Sequence, residues 1–287
     1  MDKKVFANLL FIIAIYSIIL LFIGRQLTFL PVFGGDKKIA ASDLKKSVLE
    51  KYLKNEKGSF SIYYKNLNTG DEFGVDENKV QTAASLNKLP IVSYLYSEAG
   101  KGRVDLEDQI VIQKADIQDY GTGSIRYDGT GKSYSLKTLT KLALEQSDNT
   151  AAHVLGLRLG RDQIQEYTEN LGLVATHIEN NQTSAKDMGI ILDAIWRGKV
   201  TNTPLKLELL DFMTNTDFED RLAGNIKGAK IHHKAADGVG FVHDVGIIED
   251  GKNAFIISVL VSEVSDINHA KETIGKIAEF IYEEQQR

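Results

Sequence analysis

The 287-residue chain contains no cysteine, so disulfides, thiolate metal sites and a cysteine nucleophile are all excluded. Stability has to come from packing. Proline is scarce, at three residues, and no Lys/Arg block interrupts a formal charge of −5, which leaves no electrostatic footprint for nucleic acid. Apolar residues at 43% and charged residues at 25% are ordinary for a folded body and argue against extensive disorder.

One stretch is free of charge altogether. From Val5 to Gly24 the chain is mostly Leu, Ile, Phe and Ala, long enough to cross a bilayer, for which about 20 apolar residues suffice. A cleaved signal has a shorter apolar region, about 7–15 residues, and ends near small residues, whereas Arg25 is followed here by a second apolar run from Leu27 to Phe33. The expectation is therefore a signal anchor over 5–24, a cytoplasmic tail over 1–4, a linker over 25–40 and an exported domain over 41–287. Lys3 and Lys4 favour that orientation; Arg25, Lys37 and Lys38 on the other flank weaken the asymmetry.

The pattern beyond the linker changes twice. A helix capped at Ser42 or Asp43 is followed by two strand-like runs, Ser59–Lys65 and Glu72–Val75, around the turn-forming Asn68-Thr69-Gly70-Asp71. Helical spacing then dominates, as in Leu136–Glu145 and Ala185–Trp196. Strands return at Lys230–Ala235, Val239–Ile248 and Ala254–Val261, before a last amphipathic helix from about Asp266 to Glu284. The expected architecture is an α/β fold of the α+β kind. An antiparallel sheet of about five strands is built from both chain ends and flanked by helices, with a mainly helical second lobe over about 80–215.

A serine hydroxyl becomes a useful nucleophile only when a base faces it. Ser85-Leu86-Asn87-Lys88 provides this if a helix starts at or just before Ser85, because residues three apart then share a face. A second Ser-x-x-Lys, Ser42 to Lys45, lies on a polar helix without further partners. For Ser85 two more elements follow in order: Ser147-Asp148-Asn149 on a turn after a helix, and Lys234 on a strand.

This ordered set resembles the motifs of class A β-lactamases and penicillin-recognising serine hydrolases. The resemblance covers roughly Ala41 to the C-terminus and extends to Gly121-Thr122-Gly123-Ser124 and His243-Asp244-Val245-Gly246-Ile247. It implies that Ser85 attacks a carbonyl, Lys88 accepts its proton, Ser147 passes a proton to the leaving nitrogen, and Asn149 positions the substrate amide and Lys88. Lys234 would supply positive potential, and the backbone N–H groups of Ser85 and Asp237 an oxyanion hole. No cofactor or metal is implied. The implied substrate is a β-lactam or a small peptidoglycan-like amide, at the periplasmic or cell-surface side of a membrane.

Two departures qualify the match. The third motif reads Lys234-Ala235-Ala236-Asp237 where the family has Lys-Thr-Gly or Lys-Ser-Gly, so a hydroxyl for a substrate carboxylate is gone, a loss of about 1.5–3 kcal/mol of binding. The loop between Gly172 and Ala185 is short, and Glu179 is its only acidic residue and hence its only candidate for a water-activating base. Glu166 and Asn170 have the family's Glu-x-x-x-Asn spacing, but on a helix before that loop. A D-alanyl-D-alanine peptidase, or a wall-binding scaffold that has lost efficient chemistry, shares the same residues and stays open at this point.

Other patterns carry less. Asp128 to Ser133 imitates the end of a phosphate-binding loop, but Arg126 stands where its first glycine belongs, which favours a polar turn. Strand alternation turns His232 and His233 to opposite faces, against a shared metal with His243. Asn181-Gln182-Thr183 is a glycosylation sequon by pattern alone. His153 reads as a helix residue, since Lys88 already provides the base.

Overall fold

The computed structural model describes residues 41–286. The apolar segment 5–24, with the tail 1–4 and linker 25–40, lies outside them; among the described residues no helix is long and apolar enough to cross a membrane. The chain opens with helix α1 (Ala41–Leu53) and the hairpin β1 (Ser59–Asn66) and β2 (Glu72–Val75), which pairs Lys65 with Glu72 around the expected turn. Near the other end, β7 (Lys230–Gly238), β8 (Phe241–Glu249) and β9 (Ala254–Ser262) follow one another, and α9 (Ile267–Gln286) closes the chain. The sheet order is β2-β1-β9-β8-β7, antiparallel throughout, with Ile62 opposite Val259 where the two chain ends meet.

Strand β9 is apolar at nearly every position because both sheet faces are covered. Alternation sends Ile62, Ile257 and Val259 towards Ile274 and Ile277 of α9. The residues between them, Tyr63, Ile256 and Leu260, meet the helical region at Leu89, Met188 and Ile191.

That region begins with β3 (Gln81–Thr82) and a 3₁₀ turn (Ala84–Asn87). It continues through α2 (Lys88–Gly100), β4 (Gln109–Val111), α3 (Ile125–Asp128), β5 (Ser133–Ser135), α4 (Leu136–Glu145), α5 (Asn149–Leu159), α6 (Arg161–Asn170), β6 (Gln182–Thr183), α7 (Ala185–Trp196) and α8 (Thr203–Asp211). Three of its helices, α4, α7 and α8, are started by side-chain caps: Ser135, Ser184 and Asn202 accept from the N–H groups of Thr138, Asp187 and Leu205. The segment from Gly129 to Lys132 is a polar turn with Gly129 and Gly131 at positive φ.

Two strand limits differ from the sequence reading by more than one residue. β7 runs to Gly238, three residues beyond Ala235, which puts Asp237 on the strand, and Val239 is a fully exposed turn residue and does not start β8. Glycines at 238 and 240 let the chain reverse there, and hydrophobicity alone misplaced the boundary.

Candidate active site

Ser85 sits on the 3₁₀ turn that feeds α2, so a helical turn starts just before it, as the Ser85–Lys88 pairing requires. The tighter turn eclipses residues three apart, so it serves the pairing better. Lys88 Nζ lies 2.8 Å from Ser85 Oγ. Ala84, just before the nucleophile, is held at φ 45°, a left-handed conformation that costs roughly 1–2 kcal/mol for an L-residue. Its neighbours hold it there: Ala83 N–H donates to Asn181 O at 2.8 Å, and Leu86 beneath the turn is fully buried. Pro90 falls in the first turn of α2, where its missing N–H is harmless.

Ser147 occupies the turn between α4 and α5, also left-handed at φ 54°. This conformation points both its carbonyl and its hydroxyl at Lys88, at 2.7 and 3.0 Å. Asp148 caps α5 by accepting from Ala151 N–H and ties α3 down through Ile125 N–H, each at 2.9 Å. Asn149, the first residue of α5, accepts from Lys88 Nζ at 2.8 Å and donates to Tyr120 O at 3.0 Å. The Gly121-Thr122-Gly123 segment packs directly on this turn. A Cβ at Gly121 would lie 2.3 Å from Asn149 Nδ2, one at Gly123 2.5 Å from Asp148 Cα, and Thr122 Oγ1 donates to Ser147 O at 2.9 Å.

Lys234 reaches the same hydroxyl from the sheet. Its Nζ donates to Ser147 Oγ at 2.9 Å and to Ala235 O at 2.8 Å, and the side chain is only 1% exposed, so its charge meets the cleft through Ser147 and not at the cleft surface. β7 is the sheet's edge strand, with its free side towards Ser85. His233 N–H donates off that side to Met213 O, so the two-residue period directs the N–H groups of Ala235 and Asp237 the same way, into the cleft. Asp237 thus offers a backbone donor opposite Ser85.

Two buried ammonium groups close together cannot both stay charged without penalty. Burial, and then the nearby charge of Lys234, hold the Lys88 amine well below the usual lysine range. Burial also pulls Lys234 down to about 7, although Asp244 and Asp237 act in the opposite direction. The far side of the sheet is ionic as well. Arg221, 1% exposed, donates to Asp237 Oδ2 at 2.9 Å and to the carbonyl of Ala236 at 3.3 Å, clamping the end of β7 from behind. Burial acts to lower His233, but Asp244 at 2.9 Å and Glu219 at 3.1 Å outweigh it and raise its pKa to about 9.

A cleft of about 560 Å³ is lined by Ser85, Lys88, Ser147, Asn149, Ala235, Ala236, Asp237 and Glu179. Six of the seven residues singled out in the sequence therefore line one cavity, with Lys234 hydrogen-bonded immediately behind it. Glu166 and Asn170 are exposed on α6 and line nothing there. His232 and His233 take opposite sides of β7: the first bonds Leu210 O and Glu249, the second Asp244 and Glu219. His153 lies on α5 as a cleft-lining helix residue. The roles of Thr122, Tyr120 and Arg221 were not read from the sequence. For Arg221 a signal existed, a lone arginine just before the apolar Leu222-Ala223.

A serine bonded to a buried, depressed amine, which is bonded to a second serine and through it to a second depressed amine, is the arrangement a serine hydrolase activated by a lysine would need. Comparison with known proteins agrees. The model of the β-lactamase enzyme family matches residues 43–285, and the chain belongs to that family. β-Lactamase BRO-1 of Moraxella catarrhalis is 23% identical over 219 residues, 68% of this chain and 70% of that one. A β-lactamase of Rhodobacter capsulatus is 23% identical over 184 residues, and the match spans 59% of each protein. Among solved structures, PBP-A superposes with a TM-score of 0.79 at 24% identity, covering 86% of this chain and 97% of that one, and a variant of it was solved as an acyl-enzyme with penicillin G. The TLA-1 extended-spectrum β-lactamase gives a TM-score of 0.79 at 19% identity, covering 86% and 99%. The chain is thus a β-lactamase-type serine hydrolase.

Proposed function

We propose that this enzyme opens β-lactams or related peptidoglycan-like amides through an acyl-enzyme on Ser85. The observation that carries the reading is the unbroken hydrogen-bonded chain Ser85–Lys88–Ser147–Lys234. Lys88, neutral because it is desolvated beside Lys234, takes the proton from Ser85 Oγ as that oxygen bonds to the carbonyl carbon. The negative charge that develops on the carbonyl oxygen meets the backbone N–H groups of Ser85 and Asp237. The proton then moves from Lys88 to Ser147 and on to the departing nitrogen as the C–N bond breaks, while Asn149 holds both Lys88 and the substrate's amide. The fluorescent-penicillin adduct should map to Ser85, and mass spectrometry of the labelled peptide tests this.

Release of the acyl group is the weak step. Glu179 lines the cleft but is exposed and takes part in no hydrogen bond or ion pair among the described residues, so no partner fixes its carboxylate relative to Ser85. The acyl-enzyme is therefore long-lived, an outcome that also fits a D-alanyl-D-alanine peptidase. Glu179→Gln should slow adduct loss by roughly tenfold or more if Glu179 activates the water. Identical adduct lifetimes would remove it from the mechanism.

Ala235 and Ala236 weaken the grip on an anionic substrate. Restoring the hydroxyl and the close approach with Ala235→Thr and Ala236→Gly should raise the nitrocefin acylation rate by about tenfold, the equivalent of one charge-assisted hydrogen bond. No gain would mean that the β7 edge no longer takes the carboxylate. The apolar segment 5–24 supports a membrane-anchored enzyme whose hydrolase domain faces outward; protection of residues 41–287 from an externally added protease would refute that placement.

A further inference from the structure

The cleft continues well past the catalytic residues. From Asn149 it runs along α5, walled by Ile91 of α2, Ile164 of α6 and Ile178 of the loop after α6. The floor consists of Ala152 and Gly156, on the same side of the helix as Asn149 by their spacing of three and four residues. Gly156 is not required by the backbone, since its φ is not positive, and a glycine inside a helix costs about 1 kcal/mol relative to alanine. Nor is it required by a close contact: a Cβ there would meet only Ile91 Cδ1, at 4.0 Å. What the glycine provides is open space. At the far end stands Arg161, the first residue of α6, exposed and without a hydrogen bond or ion pair among the described residues. Lys88, the other Lys or Arg of the lining, is committed to four oxygens.

The geometry points to this extension as the seat of the substrate's acyl arm, and specifically of a long arm that is apolar through its middle and ends in a carboxylate against Arg161. The inference rests on the reading of Ser85 as nucleophile. The direction follows from the placement of the other groups: Ser147, which serves the leaving nitrogen, and the β7 edge occupy the opposite part of the cleft, so what leaves along α5 from Asn149 is the acyl side. The reach follows from the helix. Seven residues from Asn149 to Gly156 rise roughly 10 Å, the length of about three extended amino-acid residues. A substrate with a short acyl group leaves Ile91, Ile164 and Arg161 untouched.

The test compares acylation of the full chain by three penicillins that share the side-chain amide and differ only in what lies beyond it: the acetyl derivative of 6-aminopenicillanic acid, its suberoyl derivative (an eight-carbon diacid), and the suberoyl derivative with the terminal carboxylate converted to an amide. The readout is the second-order rate of Ser85 adduct formation by mass spectrometry. The suberoyl compound should react at least about tenfold faster than the acetyl compound, since burying even a few methylenes is worth that much. Gly156→Leu should bring that ratio close to one, with Gly156→Ala intermediate, and thermal melting verifies that both variants are folded. Arg161→Ala should erase the difference between the carboxylate and amide ends. Equal rates for the long and short compounds in the wild type, or a ratio insensitive to Gly156→Leu in a folded variant, would overturn the acyl-arm groove while leaving Ser85 labelling intact. Failure of all three to label Ser85 would overturn the nucleophile assignment and this inference together.

Discussion

Ser85→Ala should reduce penicillin acylation by on the order of 10⁴-fold or more, because the hydroxyl oxygen forms the bond that defines the intermediate and no neighbouring group can replace it. Ser147 is 2% exposed and its hydroxyl is held between Lys88 and Lys234 at 3.0 and 2.9 Å, which leaves it no free approach to a carbonyl carbon. The substitution should not unfold the protein, since Ser85 is only partly buried and Lys88 keeps the carbonyl of Ser147 and the amide oxygen of Asn149. Ser42→Ala, at the other Ser-x-x-Lys, should label like the wild type. Comparable labelling of Ser85→Ala and the wild type would sink the assignment.

Lys88→Met should lower the acylation rate by about 10²–10⁴-fold, the usual contribution of a positioned general base. The pH profile distinguishes a base from a merely structural lysine. Lys88 acts only when neutral, so the rate rises with pH along an ascending limb that lies well below the ordinary lysine value. The charge of Lys234 is one cause of that depression, so Lys234→Gln should move the limb to higher pH as well as reduce the rate. A limb that stays in place would mean that Lys88 is not the titrating base.

Stability carries the same ions with a different sign for each. Lys234 has its folded value lowered to about 7 from 10.5, so above 7 the unfolded chain holds the extra proton and stability rises with pH. His233 is raised to about 9 from 6.5, so its contribution is complete below 6.5 and is lost as pH climbs through 9. Between about 7 and 9 the two oppose each other, and the melting temperature should change little there with respect to these groups.

The sheet and its two chain ends were legible in the sequence because β1, β8 and β9 are bounded by turn residues and rich in aromatic and branched apolar residues, while the polar edge strand β7 was betrayed mainly by its place just before them. That Ser85, Lys88, Ser147, Asn149 and Lys234 converge on one cleft was legible because Ser85-x-x-Lys88 and Ser147-x-Asn149 have fixed spacings and Lys234 follows them on a strand. What could not be read was conformation at residues with no compositional signature. Nothing about an alanine announces that Ala84 is left-handed, or about Ser147 that its turn aims two oxygens at one amine. The ion cluster behind β7 was hidden for another reason: Arg221, Asp244 and His233 are spread over 24 positions of chain and converge only once β7 and β8 pair, with Ala235 opposite Asp244. Composition registers such residues as surface charge, and pairing turns them into an interior.

The open side of β7 has a consequence for solubility as well as for catalysis. An unpaired strand edge is a template on which another chain can add, and proteins must protect it. Here the protection comes partly from groups at the cleft. Met213 takes the N–H of His233, Lys234 occupies the carbonyl of Ala235, and the strand ends at a Gly238-Val239-Gly240 reversal beside the charge of Asp237. The stretch left open is a few residues wide, long enough to meet one short extended segment and too short to seed a growing sheet, so the same groups that shape the cleft also cover the edge.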